Sequence, residues 1–119
     1  MMAWLLVFIG GGLGALARYG LTLFLPRGVG SFPWATLMAN LIGALIIGLL
    51  AAALMNRAPM RGFWIIGVLG GFTTFSAFSL ETIQLMEQRE LGLALAYVGL
   101  SVGGGVAMCW LGLRFSGHA

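Results

Sequence analysis

The stretch GGFTTFSAFS at residues 70–79 decides how the rest of the chain is interpreted. It places two glycines, four hydroxyl residues and three phenylalanines inside a long apolar segment. Adjacent glycines weaken a helix, and serine and threonine offer the backbone competing hydrogen bonds. Backbone released from a helix at membrane depth is tolerated only where it is buried in protein or lines a cavity. The stretch therefore predicts a broken helix at a functional site, housed by the other apolar segments.

The composition predicts an integral membrane protein. Of the 119 residues, 61% are hydrophobic and 8% are charged, and lysine and aspartate are absent. A soluble domain of this size could not bury so much apolar surface. The net charge of +3 comes from scattered arginines without a basic run or an RNA-binding motif, so we expect no nucleic-acid partner. The single cysteine, Cys109, excludes an intrachain disulfide and every multi-cysteine metal motif.

Four apolar segments predict four transmembrane helices in one all-α domain over residues 1-119, with the third helix broken near its middle. The approximate spans are residues 3-25, 32-55, 62-86 and 91-113. The first segment has neither a basic n-region nor an evident cleavage site, so we expect an uncleaved span. The connecting loops are too short to form an extramembrane domain.

The arginines divide evenly between the two sides of this arrangement. One side carries Arg57, Arg61 and Arg114, and the other carries Arg18, Arg27 and Arg89. Without a bias, the positive-inside rule predicts insertion in both orientations and an antiparallel homodimer. The alternative is that so few arginines carry no orientation signal. Glycine pairs at GxxxG spacing, Gly10 with Gly14 and Gly99 with Gly103, predict close helix packing and oligomerisation.

Polar side chains share one face of the second segment. Thr36, Asn40 and Gly43 follow i, i+4, i+7 spacing, and burying the Asn40 amide unpaired would be costly. Two interpretations of Asn40 stay open at this point: an interhelical hydrogen bond, which the chemistry slightly favours, or a donor that replaces water around a passing anion. Tyr97 and Ser101, four residues apart in the fourth segment, could continue a polar line.

Phe75 and Phe78 are three residues apart, so they can face one way on a helix. Phenylalanine in a membrane usually packs, but ring edges are positive and could hold a small anion without a full charge that would bind it too tightly. The pair Gly70-Gly71, followed by Thr73, could release carbonyl oxygens suited to Na⁺, and the alternative is a simple glycine kink.

Two charged residues lie inside the apolar segments. Arg18 lies two turns from the end of the first span, where it could reach the interface or face a vestibule and concentrate anions. Glu81, one turn beyond Phe78, could accept a proton or a hydrogen bond, or reach the interface. Catalysis finds no support, since there is no aspartate, no cluster of metal ligands, and no histidine except His118.

Three motifs in these segments together resemble the signatures of the Fluc/CrcB family of fluoride channels. They are GGLGALARY at residues 11–19, TLMANLIG at 36–43 and GGFTTFSAFSLE at 70–81. Their order and places in the chain match the family over nearly the whole length. The resemblance implies a fluoride-selective channel in the inner (plasma) membrane, a dual-topology antiparallel homodimer with two pores. It also implies passive fluoride efflux that protects the cell from fluoride toxicity.

The resemblance also implies roles for particular residues. Backbone carbonyls of Gly70 and Thr73 from both subunits would hold a structural Na⁺ at the dimer interface. Phe75 and Phe78 would supply aromatic boxes, and Asn40 would donate to fluoride. The implied fluoride pathway comprises Asn40, Phe75, Phe78, Thr36, Ser101, Tyr97, Glu81 and Arg18. The chain departs from the family at Ala77, where threonine is frequent, and at Gly105, where a hydroxyl can occur.

Physical reasoning agrees with the resemblance. Fluoride is small and strongly hydrated, so its pore must replace water with many moderate donors, and a narrow pore could exclude the larger chloride. Two rival functions remain. A dual-topology exporter of cationic drugs by proton exchange would need a carboxylate deep in its first span, and residues 1–25 contain none. A purely structural membrane subunit would use the polar motif for packing alone.

Overall fold

The structure, a computed structural model, describes residues 1–27 and 31–117, and in these ranges all regular secondary structure is helical. The predicted loop residues 28–30 and His118 lie outside the described residues. Three helices are continuous, and the third apolar segment is divided into pieces. The elements are α1 (Met2–Phe24), α2 (Trp34–Leu50), α3 (Ala58–Arg61), a π-helical segment (Gly62–Leu69), α4 (Gly70–Phe72), α5 (Phe75–Glu87) and α6 (Leu91–Phe115).

Three helical stretches among the described residues are long and apolar enough to cross a membrane. They are Met2–Phe24, Ala58–Glu87 and Leu91–Phe115, which correspond to the first, third and fourth predicted spans. The second span was predicted over residues 32-55, but α2 has 17 residues. It is shorter because Pro33 precedes it and residues 51–56 form turns. A crossing by α2 therefore stays a prediction, at the lower end of the usual length.

The third segment is broken at Thr73 and Thr74, which confirms the predicted broken helix. Both residues are extended, with φ −87° and ψ 154° at Thr73 and φ −152° and ψ 124° at Thr74. The glycine pair itself is helical, so the break lies just after Gly70 and Gly71 rather than at them. Gly71 serves packing instead, because a Cβ at this position would collide with the Gly11 carbonyl oxygen of α1.

Glycines bring the helices into close contact in two pairs. Helix α1 packs against the π-helical segment and α4, and α2 packs against α6. In α1, Gly10 and Gly14 are buried, and a Cβ on Gly14 would collide with the Val68 carbonyl oxygen. Between α2 and α6, Gly48 and Gly112 face each other at backbone distance. The close packing predicted for Gly10 and Gly14 is therefore confirmed within the chain.

The predicted pair Gly99 and Gly103 behaves differently. Nothing lies within 4 Å of a Cβ built on either glycine. Their face of α6 is thus unpartnered in the described part of the single chain, and their role in oligomerisation stays a prediction. Large apolar side chains are also exposed on α1, with Trp4 82% and Phe8 79% accessible. Such side chains suit a surface that meets lipid.

A small buried cluster joins α2, α5 and α6. It is made of Leu37, Leu85, Ala94 and Tyr97, against which Phe78 packs as a partly buried neighbour. This cluster fixes α5, which follows the break, against α2 and α6. This packing brings the helix break at Thr73 and Thr74 close to the polar side chains of α2 and α6.

Candidate functional site

Asn40 of α2 holds the break by binding both backbone groups of Thr74. Its Oδ1 accepts a hydrogen bond from the Thr74 N–H at 2.8 Å, and its Nδ2 donates to the Thr74 carbonyl at 3.1 Å. One turn along α2, Gly43 leaves the space that the Thr73 methyl group fills. The interhelical hydrogen bond, one of the two interpretations of Asn40, is therefore present. The amide nitrogen has a second hydrogen, so a further donor remains in addition to this bond.

Side chains also cap the two helix ends that the break creates. Arg18 Nε of α1 donates to the Gly71 carbonyl at 3.3 Å. In a continuous helix this carbonyl would accept from the N–H of Phe75, which instead begins α5. On the other side, Thr74 Oγ1 accepts from the Ala77 N–H at 3.1 Å, as an N-cap. A guanidinium at a helix C-terminus is electrostatically favourable.

The carbonyls of Gly70 and Thr73 lose the partners that a continuous helix would supply. The Gly70 carbonyl would accept from the Thr74 N–H, which donates to Asn40 instead. The Thr73 carbonyl would accept from the Ala77 N–H, which donates to Thr74 Oγ1 instead. Carbonyl oxygens released in this way are hard ligands that suit Na⁺. The residues present at the break therefore fit a sodium ion.

A groove of about 430 Å³ opens beside the break, between α2, the third segment and α6. Apart from the predicted site residues, which are named next, the lining of the groove is mainly apolar. Six of the predicted site residues line it together: Asn40, Gly70, Thr73, Phe75, Phe78 and Ser101. The Ser101 Oγ is buried and has no hydrogen-bond partner within residues 1–27 and 31–117. The Phe75 side chain is 78% exposed, so one wall of the groove is open in the single chain.

Aromatic rings lead from the groove to a second polar cluster. The ring centroids of Phe75 and Phe78 are 5.6 Å apart, and those of Phe78 and Tyr97 are 5.0 Å apart. Tyr97 is fully buried, and its hydroxyl donates to Glu81 Oε1 at 3.0 Å. Thr36 of α2 is buried and lies close enough to the Tyr97 hydroxyl to interact with it electrostatically. The polar line predicted from Tyr97 to Ser101 thus has Phe78 beside it.

Arg18 stands apart from the other predicted pathway residues. It does not line the groove, and its hydrogen bond to Gly71 lies on the α1 side of the third segment. The eight predicted pathway residues therefore occupy three places. Asn40, Phe75, Phe78 and Ser101 line the groove, Thr36, Tyr97 and Glu81 form the second cluster, and Arg18 caps α4.

Sequence reasoning missed a group at the loop end of the second cluster. Arg27 Nη1 donates to Gln84 Oε1 at 3.1 Å and lies 3.9 Å from Glu81 Oε2. The ring of Phe32 also meets Tyr97 edge-on, with centroids 5.5 Å apart. The i, i+3 spacing of Glu81 and Gln84 was a signal that both face one partner, but nothing in the sequence identified Arg27 as that partner.

Comparison with known proteins places the whole chain among related sequences. Residues 5–113 match the family model described as CrcB-like protein, Camphor Resistance (CrcB). The chain is 44% identical to Fluoride-specific ion channel FluC 2 of Nitrobacter hamburgensis, covering 98% of each protein. It is 45% identical to Fluoride-specific ion channel FluC of Thermus thermophilus, covering 98% of this chain and 97% of that one. A protein of the same name from Paracoccus denitrificans is 48% identical, covering 77% of this chain and 76% of the relative.

Proposed function

The chain belongs to the CrcB family, as its three motifs predicted, and from this premise we propose that it is a fluoride-selective channel. It is a multi-pass protein of the plasma membrane, and its relatives are ion channels rather than enzymes. It lets fluoride leave the cell passively and so protects the cell from fluoride toxicity. The names of the relatives favour this function over the exporter and the structural subunit.

The observation that carries the proposal is the buried Ser101 hydroxyl in the groove, which has no hydrogen-bond partner in the described part of the chain. A buried polar group without a partner is unfavourable, and such a group calls for a ligand. Around it the groove offers the remaining Asn40 N–H and the rings of Phe75 and Phe78. These are neutral or weakly positive groups, which can replace the water around fluoride without holding the ion too tightly. Closure of the open wall at Phe75 by a second copy would narrow this space and exclude the larger chloride.

From the groove we propose that fluoride moves past Phe78 towards the cluster of Thr36, Tyr97 and Glu81. The contact between the Phe78 and Tyr97 rings supports this direction, because it joins the two polar places directly. The vestibule role that the resemblance implies for Arg18 stays a prediction, because its guanidinium holds the Gly71 carbonyl on the α1 side of the third segment, away from the groove.

We further propose that the carbonyls of Gly70 and Thr73 hold a structural Na⁺ together with those of a second subunit. Support comes from the carbonyl oxygens at the break. The N–H groups that would bond to them in a continuous helix donate to the side chains of Asn40 and Thr74 instead. When bound, the ion supplies a fixed positive charge that offsets part of the cost of desolvating the anion. The residues of the chain itself set the positions of the two carbonyls.

The functional form in this proposal is an antiparallel, dual-topology homodimer with two pores. Three features support it. The groove is open at Phe75, the α6 face at Gly99 and Gly103 is unpartnered in the described chain, and the arginines divide evenly between the two sides. A second copy would close the groove and bury the small-residue face.

The proposal is tested by efflux from liposomes that contain the purified protein, loaded with fluoride in one preparation and with chloride in another. We expect rapid fluoride loss without chloride loss, and no loss from empty liposomes. Crosslinking in the membrane measures the dimer separately. Folded dimers without fluoride flux would reduce the family match to a shared fold and would favour the exporter.

A further inference from the structure

Arg27 is anchored between the loop that follows α1 and two side chains of α5. Its Nε donates to the Ser31 carbonyl at 2.9 Å, which fixes the guanidinium to its own loop. Its Nη1 donates to Gln84 at 3.1 Å and lies 3.9 Å from the Glu81 carboxylate. The Arg27 and Glu81 side chains are only 21% and 18% exposed, so water screens their attraction less than at an open surface.

Glu81 connects Arg27 to the aromatic rings. One carboxylate oxygen, Oε2, faces Arg27, and the other, Oε1, accepts the hydrogen bond of the buried Tyr97 hydroxyl. Tyr97 in turn contacts Phe78, which lines the groove. Arg27, Glu81 and Tyr97 therefore form one continuous chain of contacts from the loop to the proposed pathway.

A carboxylate beside an anion pathway presents an electrostatic problem. Glu81 would repel fluoride as it passes Tyr97, because like charges repel strongly where little water screens them. Arg27 is the cation that the structure places against Glu81. Its Nη2 is buried and makes no hydrogen bond within the described parts of the chain, so the guanidinium keeps donor capacity after binding Gln84.

We propose that Arg27 is the counter-charge that lets fluoride pass the Glu81 carboxylate, so that Arg27, Glu81 and Tyr97 work as one unit at the loop end of the pathway. This rests on the proposed fluoride-channel function. Arg27 acts here through Glu81 and is a positioning and charge-compensating residue. Its effect must therefore depend on the charge at position 81, whereas a loop tether to Ser31 and Gln84 would act regardless of that charge.

The test is fluoride efflux from liposomes with Arg27→Gln, Glu81→Gln and the double variant. We expect Arg27→Gln to lower the efflux rate about tenfold, because it leaves the carboxylate uncompensated. In the Glu81→Gln background the same change should alter the rate less than about twofold, because no charge remains to offset. Arg27→Lys, which keeps the charge, should stay within about threefold of wild type.

The matched control is Arg89→Gln, which removes an exposed arginine on the same predicted side of the membrane as Arg27 and should leave the efflux rate unchanged. An unchanged rate in Arg27→Gln, or an equal loss in both backgrounds, overturns the inference and leaves Arg27 as a loop tether. If Arg27→Gln does not fold, Arg27→Lys decides, and a tenfold loss with the charge retained overturns it as well. A wild-type protein without fluoride efflux would contradict the proposed function rather than this inference.

Discussion

The helix break at Thr73 and Thr74 and the groove beside it differ in whether their polar atoms have hydrogen-bond partners in the protein. At the break, other helices supply partners to the displaced backbone: Asn40 binds Thr74, and Arg18 binds the Gly71 carbonyl. In the groove, the Ser101 hydroxyl is buried without a partner among the described residues. The polar residues predicted for the site thus divide into those that hydrogen-bond to the backbone at the break and those that are available to a ligand. Changes at the first group should affect stability, and changes at the second should affect flux alone.

Asn40→Asp should have the largest effect, because Asn40 belongs to both groups. A carboxylate repels fluoride and cannot donate to the Thr74 carbonyl, whose hydrogen bond from Nδ2 is lost. We expect fluoride efflux to fall by about a hundredfold or more, since an unscreened unit charge costs several kcal/mol at this range. Efflux from liposomes and thermal unfolding in detergent measure the two effects.

The matched control is Asn56→Asp, the same change in the exposed turn after α2. It should leave both efflux and unfolding unchanged. A folded Asn40→Asp channel with wild-type efflux would remove Asn40 from the pathway and leave it as a support for the backbone.

Arg18→Met should mainly affect stability. The Gly71 carbonyl loses its charged donor, so the unfolding free energy should fall by about 1–3 kcal/mol. Efflux per folded channel should fall by less than about threefold, because Arg18 does not line the groove. Denaturant unfolding in detergent gives the first quantity, and liposome efflux gives the second.

Arg57→Met provides the control for Arg18, since Arg57 is exposed at the opposite end of the membrane unit. A large loss of efflux with unchanged stability in Arg18→Met would identify Arg18 as a vestibule charge. The separation between the break and the groove would then fail at this residue.

Substitutions of Phe75 and Phe78 should affect efflux equally but stability differently. Phe75→Ile and Phe78→Ile should each lower efflux about tenfold, the equivalent of about 1.4 kcal/mol in a barrier. Only Phe78→Ile should also destabilise the protein, by about 1 kcal/mol, since the Phe78 ring packs at a tilt against Tyr97 whereas Phe75 is 78% exposed. Parallel efflux and unfolding measurements distinguish the two outcomes.

Phe24→Ile is the control for these rings, because Phe24 is 82% exposed at the end of α1 and does not line the groove. Its efflux should equal that of the wild type. If neither Phe75→Ile nor Phe78→Ile altered efflux, the aromatic-box hypothesis would be abandoned.

The fold was predictable where composition determines it. Long apolar segments and the density of glycine and hydroxyl residues at 70–79 were enough to predict helices and the break. The location of the break was less predictable, because the low helix propensity of glycine predicts that the helix ends at Gly70 and Gly71. Packing against α1 reverses this, since Gly71 is needed where the backbones meet, and the helix ends after Phe72 instead. The length of α2 depended likewise on turns that hydropathy does not resolve.

The site was predictable as a set of residues and not as a set of contacts. The motifs singled out Asn40 and Phe75, the spacing from Tyr97 and the family resemblance added Ser101, and all three residues line the groove. The binding of Asn40 to Thr74 involves backbone groups 34 residues away, which carry no sequence signal. Arg27 was missed for the same reason, since Gln84 is 57 residues away and a loop arginine has many sequence-compatible roles.

Ser101→Ala makes the smallest change and tests the groove side of the comparison most directly. Removing a buried hydroxyl that has no partner among residues 1–27 and 31–117 should leave the unfolding free energy unchanged or raise it, because the desolvation cost of that group disappears. Efflux should nevertheless fall about threefold, a loss of less than 1 kcal/mol that suits one moderate donor among several. Ser101→Thr keeps the hydroxyl and should retain efflux, which makes it the matched control. If Ser101→Ala lowered stability and left efflux unchanged, the hydroxyl would have to be satisfied by protein in the assembled channel. Ser101 would then belong with Asn40 and Arg18 among the residues that hold the structure, and the donors for fluoride would reduce to the amide of Asn40 and the edges of the two rings.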